Sequence, residues 1–569
     1  MPAGYSVWEG YAVPRYCIGI DFGTLSARAL LVDAETGREI SSGLCDYPHG
    51  VMESALPSGE KLGVGFALQH PGDYLFALER SVRQALDAAP SSQKQVIALA
   101  LDVTASTLFP VKKDGTPLCL MEEFAGSPHA YAMLWMHAGP QRFADRMTGL
   151  AMERGESWLP LLGGRIDAHW TLPKLWQALE EAPQVYAAAD LFVEAGDWLV
   201  WRLTGRLTRS ASMAGYKNLY AKDRGYPSNE YLRALDPRLE NVMEEKLAGE
   251  VLPIGTQAGR LQRGMAEKLG LPAGIPVAVS LIDAHTSVAG CGVTEPGAMV
   301  YIAGTSGCHL MLGEKLVPVP GICGVVKDGM LPGFYGYEAG QNCVGDAFGW
   351  VAERLTPPDY HEEAARRGLG IHQYLTELAA QLAPGECGLL ALDFWRGNRS
   401  ILADSDLNGL IVGLTPRTRP EHIYRALLEA AAFGTKIIID NYQENGLPVR
   451  QLVVTGGISK KNPLFMQILA DVCEMPARVP QTRHSGALGS AVFAAAAAGT
   501  EGGGWASAAE AARHMRSRTE RVYEPNGENA AVYRQLYEEY CRLYALFGRG
   551  GNDVMKRLNA LRRGAKRPG

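Results

Sequence analysis

A single stretch, residues 277–312, restricts the possible folds of this chain more than any other part of it. Residues 277–282 form an apolar, β-branched run that predicts a buried strand, and Asp283 follows at its carboxyl end. Open α/β sheets bind ligands at that edge. Farther along, two apolar runs flank a Gly-Thr-Ser-Gly turn at 304–307. This pattern predicts a hairpin whose glycines and hydroxyls let backbone N–H groups approach phosphate oxygens.

An acid about twenty residues before such a turn suggests phosphoryl transfer to a hydroxyl, with Asp283 as general base. Simpler interpretations stay open at this point. A lone Asp after a strand is more often a helix cap, and a lone Gly-Thr-Ser turn is more often only a turn.

The N-terminal region repeats the pattern of strand, turn and strand. Residues 16–32 contain an apolar strand, the turn Asp21-Phe22-Gly23-Thr24 and a second strand from about residue 27. Asp21 is placed to hold Mg²⁺ through water. The residues predicted to face the nucleotide at this turn are Gly23, Thr24, Ser26 and Arg28.

Two such turns in separate halves of one chain resemble the actin-like ATPases, in which two ribonuclease H-like domains clasp a nucleotide. The resemblance implies an α/β fold with two such domains and a cleft between them. Sugar kinases, Hsp70-type chaperones and actin share this architecture. A non-catalytic sugar sensor is a further alternative, although retention of Asp283 and Asp21 speaks against it.

A third segment has the composition of a nucleotide site. Residues 451–455 predict a strand that breaks into a Gly-Gly turn before a helix at 464–473. Glycines at a strand-to-helix turn permit flat packing of an adenine or close approach of phosphates. With the turn at 304–307, this segment gives the remaining predicted nucleotide contacts, which are Gly304, Thr305, Gly456, Gly457, Ser459 and Asn462.

Three further side chains are candidates for sugar binding. Trp135 follows an apolar run, and its spacing favours the core over a sugar-stacking wall. Lys217 ends a small-residue segment, 209–217, that predicts a loop. Spacing favours a surface position for it over contact with a substrate oxygen. Glu338 is framed by aromatic residues and is placed to accept hydrogen bonds from sugar hydroxyls.

Length and composition exclude several classes of protein. A chain of 569 residues is too long to fold around a single hydrophobic core. We expect one domain at 1–292, with the sugar site and the first turn, and another at 293–569, with the nucleotide site. A net charge of −6 argues against a nucleic-acid partner. Ten cysteines without a C-x-x-C pair, and no run of about 18 apolar residues, predict a cytoplasmic protein with no membrane partner.

Longer motifs identify the chain as similar to the FGGY carbohydrate kinases. Residues 172–180 match one family motif loosely, and residues 409–414 with 422–429 match a second closely. Further segments narrow the resemblance to kinases of 2-ketopentoses, with L-ribulose favoured as acceptor and xylulose as the alternative. These segments are 102–107, 282–285, 304–309, 320–329, 336–341 and 344–346.

The resemblance implies ATP and Mg²⁺ as cofactors and a homodimer as the assembly. It makes Asp283 the catalytic base, and it overturns the simpler interpretations of Asp283, Trp135 and Lys217. The residues that it implies in the sugar pocket are Ala105, Trp135, Lys217, Asp283 and Glu338. One position departs from the family pattern, because Trp135-Met-His137 replaces the usual Trp-x-Asp.

Overall fold

The computed structural model describes residues 14–564 of the chain. Within that range, no helix combines the length and the apolar character needed to cross a bilayer. All ten cysteines lie in the described part and are free thiols.

The first half of the chain builds a sheet of seven strands with helices around it. The sheet order is β3-β2-β1-β5-β12-β11, and β13 also pairs with β5. The strands are β1 (Tyr16–Phe22), β2 (Ser26–Asp33), β3 (Glu39–Asp46), β4 (Leu68–Gln69), β5 (Val96–Val103), β6 (Leu108–Val111), β7 (Ala132–Met133), β8 (Leu191–Glu194), β9 (Thr208–Ser210), β10 (Glu250–Leu252), β11 (Gln257–Arg260), β12 (Pro276–Ala278) and β13 (Leu281–Ile282). The helices are α1 (Pro71–Asp87), α2 (Gln141–Arg154), α3 (Thr171–Glu181), α4 (Pro183–Ala188), α5 (Ala195–Thr204), α6 (Ala211–Lys217), α7 (Asn229–Leu235), α8 (Val242–Glu245), α9 (Arg263–Leu269) and α10 (Asp283–Gly290).

The second half builds another sheet of seven strands, in the order β16-β17-β15-β14-β20-β21-β22. Its strands, with those of a small sheet, are β14 (Ala298–Ala303), β15 (Gly307–Gly313), β16 (Gly324–Lys327), β17 (Tyr335–Gln341), β18 (Leu390–Leu392), β19 (Leu410–Val412), β20 (Gln451–Thr455), β21 (Ala477–Pro480) and β22 (Thr519–Tyr523). Its helices are α11 (Gly345–Trp350), α12 (Pro358–Arg366), α13 (Ile371–Ala379), α14 (Pro420–Glu444), α15 (Gly457–Lys461), α16 (Pro463–Cys473), α17 (Ser485–Ala498), α18 (Ala508–Met515), α19 (Gly527–Gly548) and α20 (Val554–Gly564).

The two sheets have the same plan, which confirms the predicted pair of related α/β domains. In each, an antiparallel hairpin (β1 with β2, β14 with β15) occupies the centre of the sheet. The first strand of each hairpin then pairs in parallel with a later strand, β5 or β20. Each sheet ends beyond that strand with a parallel and then an antiparallel neighbour. The Gly-rich turns therefore occupy equivalent positions in the two halves.

Helix α17 joins the two halves, because it lies between β21 and β22 of the second sheet in the chain but packs on β1 and β5 of the first. It also crosses α10 closely. Glycine permits both contacts: a Cβ on Gly19 of β1 would lie 1.8 Å from the carbonyl oxygen of Ala487, and one on Gly489 would lie 1.9 Å from that of Thr286. The small residues of α17 thus allow the two halves to pack closely.

Two local predictions were wrong. The sequence of residues 185–203 predicts one helical stretch that ends on Gly205, but β8 interrupts it between α4 and α5, because residues 191–194 pair with β6. Residues 209–217 were expected to be a loop, but β9 and α6 occupy them, since Ser210 caps α6 by accepting a hydrogen bond from the Met213 N–H.

The strand predicted at 277–282 is present but is broken into β12 and β13. Val277 pairs with Leu99, and Leu281 pairs with Asp102. The segment of β12 and β13 therefore has one residue more than β5 between these two pairs. The Ser280 hydroxyl in the break donates to a buried carboxylate, that of Asp197, at 2.7 Å. Because the pairing resumes at β13, the next residue, Asp283, still emerges at the carboxyl edge of the sheet.

Replacement of Gly489 by Ala tests the close crossing of α10 and α17. The added methyl group would meet a backbone oxygen, so the helices must separate, and overpacking of this kind costs about 1–3 kcal/mol. We expect a lower thermal unfolding midpoint. The control is Gly149→Ala in the exposed part of α2, where the added carbon has nothing within 4 Å and where Ala favours a helix by about 1 kcal/mol. A Gly489→Ala protein as stable as the control would contradict the packing described here.

Candidate active site

The turns from the two halves meet at the N-terminus of α17. A Cβ on Gly486 would lie 3.2 Å from Asp21 Oδ2 and 3.5 Å from the backbone oxygen of Asp283. The neighbouring Ser485 hydroxyl lies 3.0 Å from that of Thr455, at the end of β20. Next to Thr455, Gly456 has a positive φ of 92° and approaches the carbonyl oxygen of Ala303 at the end of β14. The first hairpin, the candidate base and the end of β20 beside the second hairpin therefore lie around the N-terminus of α17.

Two carboxyl groups, those of Asp21 and Asp102, lie side by side on paired positions of β1 and β5. β5 continues through Asp102. The two carboxyl groups are close enough to change each other's pKa. Burial and the charge of Asp21 raise the pKa of Asp102 well above its usual range, which favours its protonated form. Asp102 also accepts a hydrogen bond of 2.6 Å from the Ser490 hydroxyl.

Asp283 is the first residue of α10, and its side chain is only partly exposed. The N–H of Ala284 donates to Oδ1 at 2.7 Å, which fixes the carboxyl group. Burial, and then the negative charge of Asp21, raise the pKa of Asp283 to about 7. The charge of Glu338, from the second half, also raises the pKa of Asp283, and the charge of Lys217, from the first half, lowers it. Asp283 is therefore close to charged groups of both halves. A carboxyl group that titrates near neutral pH suits general-base catalysis.

Glu338, on β17, is buried and is held by Lys217, Arg399 and His285, which lie on different elements. Lys217, at the end of α6, donates to its Oε2 at 3.1 Å, and His285 Nε2 lies 3.3 Å from the same oxygen. Arg399 donates to Oε1. Burial alone would raise the pKa of Glu338, but Lys217, His285 and Arg399 hold it well below its usual range. Glu338 is therefore ionised in a network that both halves of the chain build.

Arg399 and His285 are the members of this network whose roles the sequence did not suggest. Arg399 lies in an irregular segment after β18, and its Nε also donates to Cys323 Sγ at 3.0 Å. No spacing rule connects residue 399 to residue 338, so only the folded chain brings them together. For His285, position was the available signal, because it lies two residues after the candidate base.

The structure places the other predicted sugar-pocket residues around the same region. Trp135 is 39% exposed, and its Nε1 donates to Thr24 Oγ1 at 3.0 Å, so the interpretation of Trp135 as core is wrong. Lys217 is buried rather than a surface cation. Ala105 lies in the turn after β5, and the residue that follows it, Ser106, is in the left-handed region at φ 53°.

Within both hairpin turns, the glycine N–H groups close the turn. Gly23 N–H donates to the Ser26 carbonyl at 3.0 Å, and Gly304 N–H donates to the Ser306 carbonyl at the same distance. Arg28 lies opposite Asp21 in the hairpin register, and its charge acts to lower the pKa of Asp21 while burial raises it.

The third predicted nucleotide segment adjoins the second hairpin through Gly456, and Gly457 begins α15. The side chains of Ser459 and Asn462 are buried and bonded within the protein. Ser459 donates to the carbonyl of Gly456 at 2.8 Å, and Asn462 accepts the N–H of Phe465 at 2.9 Å. These contacts shape the turn that surrounds Gly457.

His137, the departure from Trp-x-Asp, is buried away from the acids. Its Nε2 lies 2.8 Å from Gln177 Oε1, and its Nδ1 accepts a hydrogen bond from the N–H of Ala67 at 3.3 Å. Burial lowers the pKa of His137 to about 3, so the ring is neutral. Its contacts link α3 to the segment before β4.

Comparison with known proteins identifies the family of the chain. The model of the FGGY N-terminal domain matches residues 16–290, and that of the C-terminal domain matches residues 299–498. The chain belongs to the FGGY family of carbohydrate kinases. A protein named ribulokinase from Anoxybacillus flavithermus is 49% identical to this FGGY chain, with 96% of each chain covered. Another ribulokinase, from Halalkalibacterium halodurans, is 47% identical, with 97% of this chain and 99% of the relative covered.

A solved structure supports the fold independently. The xylulose kinase from Rhodospirillum rubrum superposes on this FGGY chain with a TM-score of 0.75 and 21% identity, covering 93% of this chain and 98% of that one. This likeness establishes the two-domain architecture. FGGY carbohydrate kinases are enzymes that transfer phosphate from ATP to a sugar, and the assignment of this chain as a sugar kinase agrees with the expectation from its motifs.

Replacement of Glu338 by Gln tests the cation network. The amide leaves Lys217 and Arg399 without their countercharge, and breaking a buried ion pair costs about 3–5 kcal/mol. We expect a clear loss of stability in chemical denaturation. The control is Glu250→Gln, which breaks an exposed pair with Arg206 and costs at most about 1 kcal/mol. Equal stabilities of the two variants would show that Glu338 is not a buried anion.

Proposed function

We propose that this chain is an ATP-dependent ribulokinase that phosphorylates the terminal 5-hydroxyl of L-ribulose. The observation that carries the proposal is Asp283, a carboxyl group with a pKa of about 7 that lies beside Asp21 at the junction of both halves. The 47–49% identity to proteins named ribulokinase over nearly the full chain supports the choice of acceptor.

In the proposed reaction, Asp283 accepts the proton of the sugar hydroxyl while that oxygen attacks the γ-phosphorus of ATP. The bond from this phosphorus to the bridging oxygen of the β-phosphate breaks, and ADP leaves with that oxygen. The base must be ionised beforehand, and its pKa near neutral pH gives a population of carboxylate together with useful basicity. The N–H of Ala284 orients the carboxyl group, so that one oxygen is held and the other faces the acceptor.

The sugar would lie among Ala105, Trp135, Lys217 and Glu338. Because Lys217 and Arg399 keep Glu338 ionised, its oxygens accept hydrogen bonds and do not donate them. The positive charge of Lys217 acts to lower the pKa of both Glu338 and Asp283. This arrangement suits a polyhydroxylated acceptor with several hydroxyl donors.

The nucleotide would lie between the hairpin turns. The glycine N–H groups close the turns themselves, so the backbone donors to phosphate would come from the residues that follow them, Thr24 and Thr305. Gly304, Gly456 and Gly457 would allow close approach, with Ser459 and Asn462 shaping the turn. Gly23, Ser26 and Arg28 complete the phosphate-facing surface of the first hairpin.

Asp21 fits a Mg²⁺ ion held through water. It is partly exposed. Burial raises its pKa, while Asp102 and the charge of Arg28 act to lower it and so favour the carboxylate. Mg²⁺ keeps several waters and uses one or two carboxylates with substrate phosphates. When bound, the ion neutralises charge on the β- and γ-phosphate oxygens.

Three broader features complete the proposal. We assign the sugar site and the first turn to a domain of residues 1–292, and the nucleotide site to a domain of residues 293–569. The cytoplasm is the proposed location, because the ten cysteines are free thiols throughout the described residues. A homodimer is the proposed assembly.

Replacement of Asp283 by Asn tests the base. The amide cannot accept the proton at neutral pH, and a general base contributes about 10²- to 10⁴-fold, so kcat should fall by that factor while folding and ATP binding persist. For the wild-type enzyme, kcat should rise with pH through about 7 and then level off, because only the carboxylate acts as base. The variant should lack this rise. Wild-type turnover by the variant would remove Asp283 from its role.

The acceptor is tested by ADP release with L-ribulose, D-ribulose, the two xyluloses and glycerol. We expect L-ribulose to have the highest kcat/KM. A xylulose at the top of the ranking would replace the proposed acceptor by the alternative one. ATP consumption without any sugar dependence would contradict kinase activity itself, and a variant lacking Asp283 is the blank for contaminating ATPases.

A further inference from the structure

We propose that Lys174 is a positioning residue for the sugar pocket, whose buried ammonium group fixes the loop that carries Ala105 to the loop that carries Trp135. The inference rests on the proposed function of those two residues. Lys174 is not itself expected to touch either substrate.

Lys174 lies on α3 and is completely buried. Its Nζ donates to three backbone carbonyl oxygens, those of Ser106 at 2.7 Å, Leu134 at 2.8 Å and Met133 at 3.2 Å. An ammonium group has three N–H donors, so each has an acceptor. Two of the acceptors immediately precede Trp135, and the third immediately follows Ala105.

On the Ala105 side, the ammonium holds a backbone conformation that needs support. Ser106 has a positive φ of 53°, which L-residues with a side chain rarely adopt. Its N–H donates to Glu194 Oε2 at 3.0 Å, and its hydroxyl donates to the carbonyl of His169 at 2.7 Å. The buried carboxyl group of Glu194 thus holds the N–H of Ser106, and the buried amine of Lys174 holds its carbonyl oxygen. Burial lowers the pKa of Lys174 and raises that of Glu194, each to about 7.

On the Trp135 side, the same ammonium controls where the indole lies. The carbonyls of Met133 and Leu134 are fixed on Lys174, and the indole N–H then reaches Thr24 Oγ1 at 3.0 Å in the first hairpin. The chain of contacts therefore runs from the turn after β5, through one side chain of α3, to the edge of the proposed phosphate site.

Replacement of Lys174 by Met keeps most of the length of the side chain but removes the donors. Three buried carbonyls then lack their donor, so both loops should move. A displacement of about 1 Å in substrate-positioning residues costs about 10²-fold. We expect this loss in kcat/KM for the sugar, mainly as a higher sugar KM, with the KM for ATP unchanged. Amide hydrogen exchange should rise in residues 103–107 and 131–136.

The control is Lys112→Met. Lys112 lies in the same half of the chain and donates to one backbone carbonyl, that of Ala188, at 2.7 Å, but it is partly exposed and outside the pocket. Its loss should leave the sugar KM and the exchange of both loops at wild-type values.

A second variant keeps the test open if Lys174→Met does not fold. Thr171 Oγ1 donates to Glu194 Oε1 at 2.9 Å, so Thr171→Val loosens the anion that holds Ser106 and leaves Lys174 intact. We expect a smaller increase of the sugar KM in the same direction, with faster exchange confined to residues 103–107.

Three outcomes overturn the inference. The first is a folded Lys174→Met protein with an unchanged sugar KM. The second is unchanged amide exchange in both loops of that protein. The third is an equal loss of kcat/KM for sugar and for ATP, which indicates a general structural role. Failure of the proposed function is distinguishable, because it appears as a wild-type enzyme that phosphorylates no ketopentose. The exchange measurement tests Lys174 in that case too.

Discussion

The close crossing of α10 and α17 is the contact on which the arrangement of this molecule depends. Glycine makes it possible, since a Cβ on Gly489 would lie 1.9 Å from a carbonyl of α10, and one on Gly290 would lie 2.1 Å from a carbonyl of α17. Asp283 begins one of these helices, and Gly486 lies at the start of the other. The distance between the helices therefore sets the distance from the candidate base to the hairpin of Asp21 and to the end of β20.

Around this junction the structure separates negative from positive charge. Burial raises the pKa values of Asp21, Asp102 and Asp283, and the charge of Asp21 raises those of the other two further. Glu338 lies beside Lys217 and Arg399, and its pKa moves the opposite way. Carboxyl groups of similar chemistry thus differ in the form that their surroundings favour, because their neighbours differ.

Several elements were predictable because their residues are close in sequence. Both hairpins, with their apolar strands and Gly-Thr turns, need only local alternation and local glycines. The helix α6 at 211–217 was missed because its small residues resemble a loop, and its capping by Ser210 depends on the buried Asp197, which accepts the Ser210 N–H. Spacing alone wrongly favoured a core position for Trp135, because an apolar run does not determine which residues the side chain after it contacts.

By itself, the sequence determined the two equivalent halves, the turns at their centres and the acid at the end of a strand. Each of these follows from hydrophobic periodicity and glycine placement within about 30 residues. The tertiary structure alone decided that Arg399, His285 and Lys217 surround Glu338, that Asp102 lies buried beside Asp21, and that Lys174 contacts two separate loops. These contacts join residues far apart in the chain, and burial fixes their energies, so no local pattern encodes them.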